Sequence, residues 1–120
     1  MINKRYTTKS SDNMVTFNPL LLIESSLPIK PPAHYQTYRK YHYKNFSILE
    51  TMETDGAMVC HIVSIAAHGI NSQPLHENEV GGLLFHLGFN PIVPCEYWET
   101  PHPWDPTFGD THYYRQSIVA

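Results

Sequence analysis

The chain has 120 residues, 42% apolar and 12% aromatic, with a formal charge of −3. That suits one domain with a modest core. Two cysteines, Cys60 and Cys95, make neither a disulfide framework nor a Cys-x-x-Cys motif, and the longest apolar run near the start, Leu20–Ile23, is too short for a signal-peptide core or a membrane span.

These features point to the cytoplasm, that of a host if the gene belongs to a virus, phage or plasmid. Charge is distributed unevenly. Residues 1–44 hold seven basic and two acidic residues, formally +5, whereas residues 45–114 hold nine acidic and no basic residues, formally −9. The eighth basic residue is Arg115. Such asymmetry orients a charged partner even when the net charge is small.

Residues 1–13 are polar and basic without periodicity, and read as a disordered or loosely docked tail to a single domain spanning 14–120. Met14–Ser25 combines Val15, Phe17 and Leu20–Ile23 around Pro19, which fits a short strand followed by a helical turn. Pro28, Pro31 and Pro32 make residues 26–33 an extended connector. In residues 34–45, Tyr35, Tyr38, Tyr41 and Tyr43 alternate with Arg39, Lys40 and Lys44. Cations neutralise phosphate and aromatic rings stack on bases, so Tyr35, Tyr38, Arg39, Lys40 and Lys44 form a candidate single-stranded nucleic-acid surface. The competing reading packs the tyrosines and turns the cations toward the chain's own acidic part.

Phe46–Thr54 alternates, Asp55-Gly56 is a favoured type I′ turn, and Ala57–Ala67 is rich in Val and Ile, so residues 46–67 read as a β-hairpin. A two-residue Asp55-Gly56 loop places Thr54 opposite Ala57, Glu50 opposite His61 and Phe46 opposite Ile65. One face then collects Phe46, Ile48, Met52, Val59, Val63 and Ile65, with Glu50 and His61 as a buried polar pair. A carboxylate beside an imidazole also has the form of an oriented general base or metal ligand.

Val80, Leu83, Leu84 and Leu87 follow helical spacing, predicting a helix over about 73–87, with Ser72 as cap, Pro74 in the first turn and Gly88 as stop. Gly81-Gly82 costs roughly 1 kcal/mol per glycine against alanine, which implies close approach to the sheet. Strands follow near 92–99, limited by Pro94 to an edge or bulge, and near 112–119. Residues 100–111 form a proline-stiffened loop between them. The expected fold is α+β, a small, mainly antiparallel sheet with the one helix packed on one face.

His102, Asp110 and His112 make the nearest thing to a zinc or iron ligand set, without a recognised spacing. No cofactor is expected on that ground. Neither cysteine has the setting of a nucleophile. The leading expectation is surface recognition. Glu96, Trp98, Glu99, Trp104, Asp105, Phe108 and Asp110 put aromatic anchors among carboxylates, which suits a partner protein with a basic surface. That describes a small interaction protein of inhibitor or immunity type, a character shared with small anti-defence proteins of phages and plasmids. A nucleic-acid-handling enzyme is the natural target, because its substrate groove is basic. A metal-dependent enzyme, or a weak nucleic-acid binder through residues 34–44, is the alternative.

Overall fold

The computed structural model describes residues 2–4, 16–26, 30–67, 75–105 and 109–118; for residues 2–4, 37, 38 and 55 it describes the backbone alone. The strands are β1 (Ile2–Lys4), β2 (Leu22–Ser25), β3 (Tyr35–Tyr43), β4 (Phe46–Asp55), β5 (Met58–Ala67), β6 (Cys95–Pro101) and β7 (Asp110–Ser117), with one helix, α1 (Glu77–His86), between β5 and β6. They form one seven-stranded sheet in the order β1-β6-β7-β5-β4-β3-β2, and every neighbouring pair is antiparallel. Among the described residues, no helix is long and apolar enough to cross a membrane. Of the expected N-terminal tail, residues 2–4 pair with β6, and the rest lies outside the described residues.

The basic, tyrosine-rich segment is a strand. Its pairing shifts between Thr37 and Arg39, and an extra residue in one strand turns the side chains after it to the other side. Tyr35 therefore shares a face with Glu53, while Tyr41 and Tyr43 share the opposite face with Ile48 and Phe46. Ahead of it, a single 3-10 turn at Pro19–Leu21, capped by the Asn18 side chain, precedes β2. The helical turn thus comes before the strand.

The β4–β5 hairpin is present, but its register is displaced by two residues. Asp55 opposes Met58, Glu50 opposes Val63 and Met52 opposes His61, so the loop is Gly56-Ala57. Gly56 has φ +60°, while Ala57 is not in the positive-φ region. A positive φ at the first loop position alone suits a type II′ turn, which wants glycine there, rather than type I′. A displacement of two preserves the faces, because side chains alternate with period two. Phe46, Ile48, Val63 and Ile65 accordingly stay together, and they join Tyr41, Tyr43 and Tyr114 with Val80, Leu83 and Leu84 of α1 in the main core cluster.

Helix α1 begins at Glu77 with His76 in the cap position, which makes no side-chain cap bond; the expected Ser72 cap and Pro74 lie outside the described residues. The close approach at Gly82 is to Phe17 rather than to the sheet: a Cβ on Gly82 would lie 2.6 Å from the Phe17 Cβ. Strand β6 starts later than expected because the chain turns at Asn90–Val93. The Gln116 side chain holds that turn, accepting from the Asn90 N–H and donating to the Asn90 and Val93 carbonyls at 2.7, 2.8 and 3.0 Å. Pro94 precedes the strand and costs it no ladder bond.

Leu49, Cys60, Ile62, Ala66 and Tyr113 lie on the alternate sheet positions and are also buried. Trp104 packs against Leu49 and Ala66, and Tyr35 and Trp98 pack against Cys60, Ile62 and Tyr113.

Candidate functional site

In β6, period-two alternation separates residues that are adjacent in sequence. Glu96, Trp98 and Thr100 oppose Arg115, Tyr113 and Thr111, whereas Tyr97, Glu99 and Pro101 oppose Tyr114, His112 and Asp110. Glu96 and Trp98 therefore face one way, and Glu99 and Asp110 the other. The described residues among the seven expected to form one acidic aromatic patch do not all lie on one side of these strands.

On the Trp98 side the carboxylates are already committed. Arg115 donates from Nε to Glu96 at 2.8 Å, its second nitrogen lies 2.7 Å from the same carboxylate, and Glu53 is 3.5 Å away. Its guanidinium lies 5.5 Å from the Trp98 ring centroid. Burial works against the Arg115 charge, but Glu96, Cys60 and Glu53 outweigh it and hold its pKa above the ordinary value. Tyr35 is pushed up to about 12 by burial, then by its hydrogen bond to Glu53 and that carboxylate's charge. Burial raises Tyr113 still more strongly. These groups are a satisfied network, and Trp98, in contact with Tyr113 at 4.6 Å, is part of its packing.

The loop after β6 folds back over the same side. His102 and Asp105 are buried, with relative exposures of 9% and 2%. The backbone N–H groups of Trp104 and Asp105 donate to His102 Nδ1 at 3.3 and 2.9 Å. Nδ1 is thereby an acceptor and the ring proton sits on Nε2. Burial lowers the His102 pKa to about 4, against the opposing pull of Asp105. Trp104 stands edge-on to His102 at 4.8 Å and 6.0 Å from Tyr35. Phe108 lies outside the described residues.

The other side of the β6–β7 margin holds Tyr97, Glu99, Asp110 and His112. The Tyr97 hydroxyl donates to Glu99 at 3.0 Å and lies 2.7 Å from His112 Nδ1. Burial, then the bond to Glu99 and its charge, push the Tyr97 pKa up to about 12. Glu99 keeps 70% of its side chain exposed, with His112 as its ion-pair neighbour at 3.8 Å. Asp110 is exposed and, among the described residues, has no ion pair. Tyr97 is the residue missed from the sequence; two-residue spacing from Glu99 was the signal that places it here.

His102, Asp110 and His112 are not gathered into a ligand set, and among the described residues no group of three or more His, Cys, Asp or Glu side chains is placed to hold a metal. Asp110 and His112 share the side of Glu99, whereas the His102 ring is turned into the Trp104–Asp105 loop. Glu50 and His61 do meet, Oε2 to Nε2 at 2.7 Å, as diagonal neighbours and not as an opposed pair. Both are 9% exposed, and Phe89 lies 4.6 Å from the imidazole. A carboxylate orients this histidine, but the pair is enclosed and offers little access to a substrate.

The candidate nucleic-acid residues are dispersed too. Lys44 donates to Glu79 at 2.7 Å, Arg39 faces Glu24 at 3.8 Å, Tyr35 is half-buried, and Lys40 points to the side opposite Arg39. The side chain of Tyr38 is not described. Tyr41 and Tyr43 are core residues. Glu79, in the first turn of α1, is 2% exposed, and its carboxylate accepts from the Tyr43 hydroxyl as well as from Lys44. In comparisons with known proteins, no protein-family model, no curated protein and no solved structure matches the chain.

Proposed function

We propose that the protein is a small interaction protein, of inhibitor or immunity type, that docks the acidic margin carrying Glu99 and Asp110 onto a basic site of another protein. The observation supporting this reading is that these two carboxylates stand on one side of adjacent strands, both exposed, without a Lys or Arg partner among the described residues. Glu96, the remaining carboxylate of the two strands, is by contrast answered by Arg115. Exposed charge of one sign with no Lys or Arg to neutralise it contributes to steering and partner choice. Val80, Leu83 and Leu84 of α1 belong to the main core cluster and the Trp98–Trp104 side is packed, so in this reading the hairpin is supported from within and little ordering entropy opposes docking.

In this reading Trp98, Trp104, Asp105 and Glu96 hold the support, and Glu99 and Asp110 make the contact. A nucleic-acid-handling enzyme is the proposed target and the cytoplasm, a host's if the gene is viral, the proposed setting. The test is capture from the source cell's extract by immobilised wild type, Glu99→Lys/Asp110→Lys and Glu96→Gln. A genuine partner is retained by wild type and Glu96→Gln and lost by the double reversal.

A further inference from the structure

The acidic margin is not made of carboxylates alone. His112 shares it, opposite Glu99 on β6 and two residues from Asp110 on its own strand, with 33% of its side chain exposed. Tyr114 is the next residue of β7 on that side and pairs with Tyr97, while Ile65, which carries no charge, opposes His112 on β5. Among the described residues, Glu99 is the ion-pair neighbour of His112, and no Lys or Arg forms an ion pair with Glu99.

Tyr97 fixes the state of this imidazole. Its hydroxyl has one proton and lies 3.0 Å from Glu99 Oε1 and 2.7 Å from His112 Nδ1. An ionised carboxylate can only accept, so that proton goes to Glu99. The phenol oxygen is then the acceptor toward Nδ1, and the 2.7 Å contact is a hydrogen bond only if Nδ1 carries the ring proton. Neutral His112 therefore donates from Nδ1 to Tyr97, which donates to Glu99, and its Nε2 has no hydrogen-bond partner among the described residues. A second proton enters at Nε2 without disturbing either bond. The result is a cation whose Nδ1 lies 3.8 Å from the Glu99 carboxylate.

We infer that His112 is a proton-operated switch on the acidic margin: neutral, it leaves Glu99 and Asp110 to a basic partner, and protonated, it neutralises Glu99 and weakens docking. This rests on the reading of that margin as the docking surface. The sign follows from the charges: the margin counts two negative charges with His112 neutral and a net of one with His112 protonated. Imidazoles ordinarily titrate near ~6.5 and carboxylates near ~4, so a fall from pH 8 to pH 5.5 acts on histidine charge. The imidazolium and the partner's cations compete for one carboxylate, so protonation and binding oppose each other.

The test measures binding of N-acetylated, amidated octalysine to the intact protein at low ionic strength, at pH 8 and pH 5.5, where the probe stays charged. Wild type is compared with His112→Asn, whose amide keeps a donor toward Tyr97 and does not titrate; the comparison cancels the other histidines. The two should bind equally at pH 8. At pH 5.5 wild type should bind about twofold to fivefold more weakly than His112→Asn, the size of one exposed charge pair. The ¹⁵N spectrum of His112 at pH 8 should place the ring proton on Nδ1. Equal affinities at pH 5.5, or a ring proton on Nε2, overturn the inference; His112→Gln takes the place of His112→Asn should the latter not fold. Glu99→Lys/Asp110→Lys at pH 8 separates the switch from the docking surface. If it is no weaker than wild type, the acidic margin fails and the switch with it. If it is weaker while wild type and His112→Asn agree at pH 5.5, the switch alone is removed.

Discussion

Replacing His102 by asparagine tests how the long β6–β7 loop is held. The imidazole accepts two backbone N–H groups on Nδ1, and protonation there would expel both. Burial holds its pKa at about 4 against an ordinary 6.5. The unfolded chain therefore takes up this proton at a higher pH than the folded chain. The stability that neutral His102 contributes is fully present above pH 6.5 and is lost as pH falls toward 4, a change of about 3 kcal/mol across the window.

Asparagine can offer Oδ1 to the same N–H groups without titrating. Urea unfolding at a series of pH values from 8 to 4 is the assay, read as the stability difference between wild type and His102→Asn. Taking the difference cancels the titration of the other histidines. It should move by about 3 kcal/mol in favour of the variant between the neutral and acid ends. A difference that stays constant with pH would refute the reasoning, because His102 would then not be held neutral by the fold.

Gly82→Ala sets a helix-propensity gain of about 1 kcal/mol against overpacking that typically costs 1–3 kcal/mol. With the new Cβ 2.6 Å from Phe17, net destabilisation of roughly 1 kcal/mol is expected by thermal unfolding; a net gain would remove the contact from the account. Lys44→Met leaves the buried Glu79 carboxylate with Tyr43 alone, for an expected loss of about 2 kcal/mol, below the figure for a fully buried pair because Lys44 is partly exposed. Lys44→Gly should lose about 1 kcal/mol less, since Lys44 sits at φ +53°; equal losses would argue against strain there. Cys60 and Cys95 are both buried, and burial pushes the Cys95 thiol up to about 12. A thiol reagent should therefore label neither in native buffer and both in denaturant.

The hairpin, the helix stripe and the last two strands were legible because each rests on local periodicity. The hairpin register was not, because choosing Asp55-Gly56 over Gly56-Ala57 depends on which loop residue takes positive φ, and both choices leave the same side chains facing the core. The segment around Tyr35–Lys44 misled for a different reason. Its alternation is interrupted by the irregularity between Thr37 and Arg39, so no single period fits it. The division of the candidate surface between two sides was readable: consecutive residues of a strand face opposite ways, which separates Glu96 and Trp98 from Tyr97 and Glu99. That Arg115 would answer Glu96, or that Lys44 would answer Glu79, depended on long-range pairing that no local pattern reveals.

The proposed docking role is tested most directly by measuring the affinity of the captured partner for wild type and for Glu99→Lys/Asp110→Lys across a salt series. Two reversed rim charges should lower affinity by about tenfold to a hundredfold at low salt and flatten its salt dependence, chiefly through the association rate. Glu96→Gln should leave both nearly unchanged. Equal affinity and equal salt dependence for wild type and the double reversal would contradict the acidic margin as the docking surface.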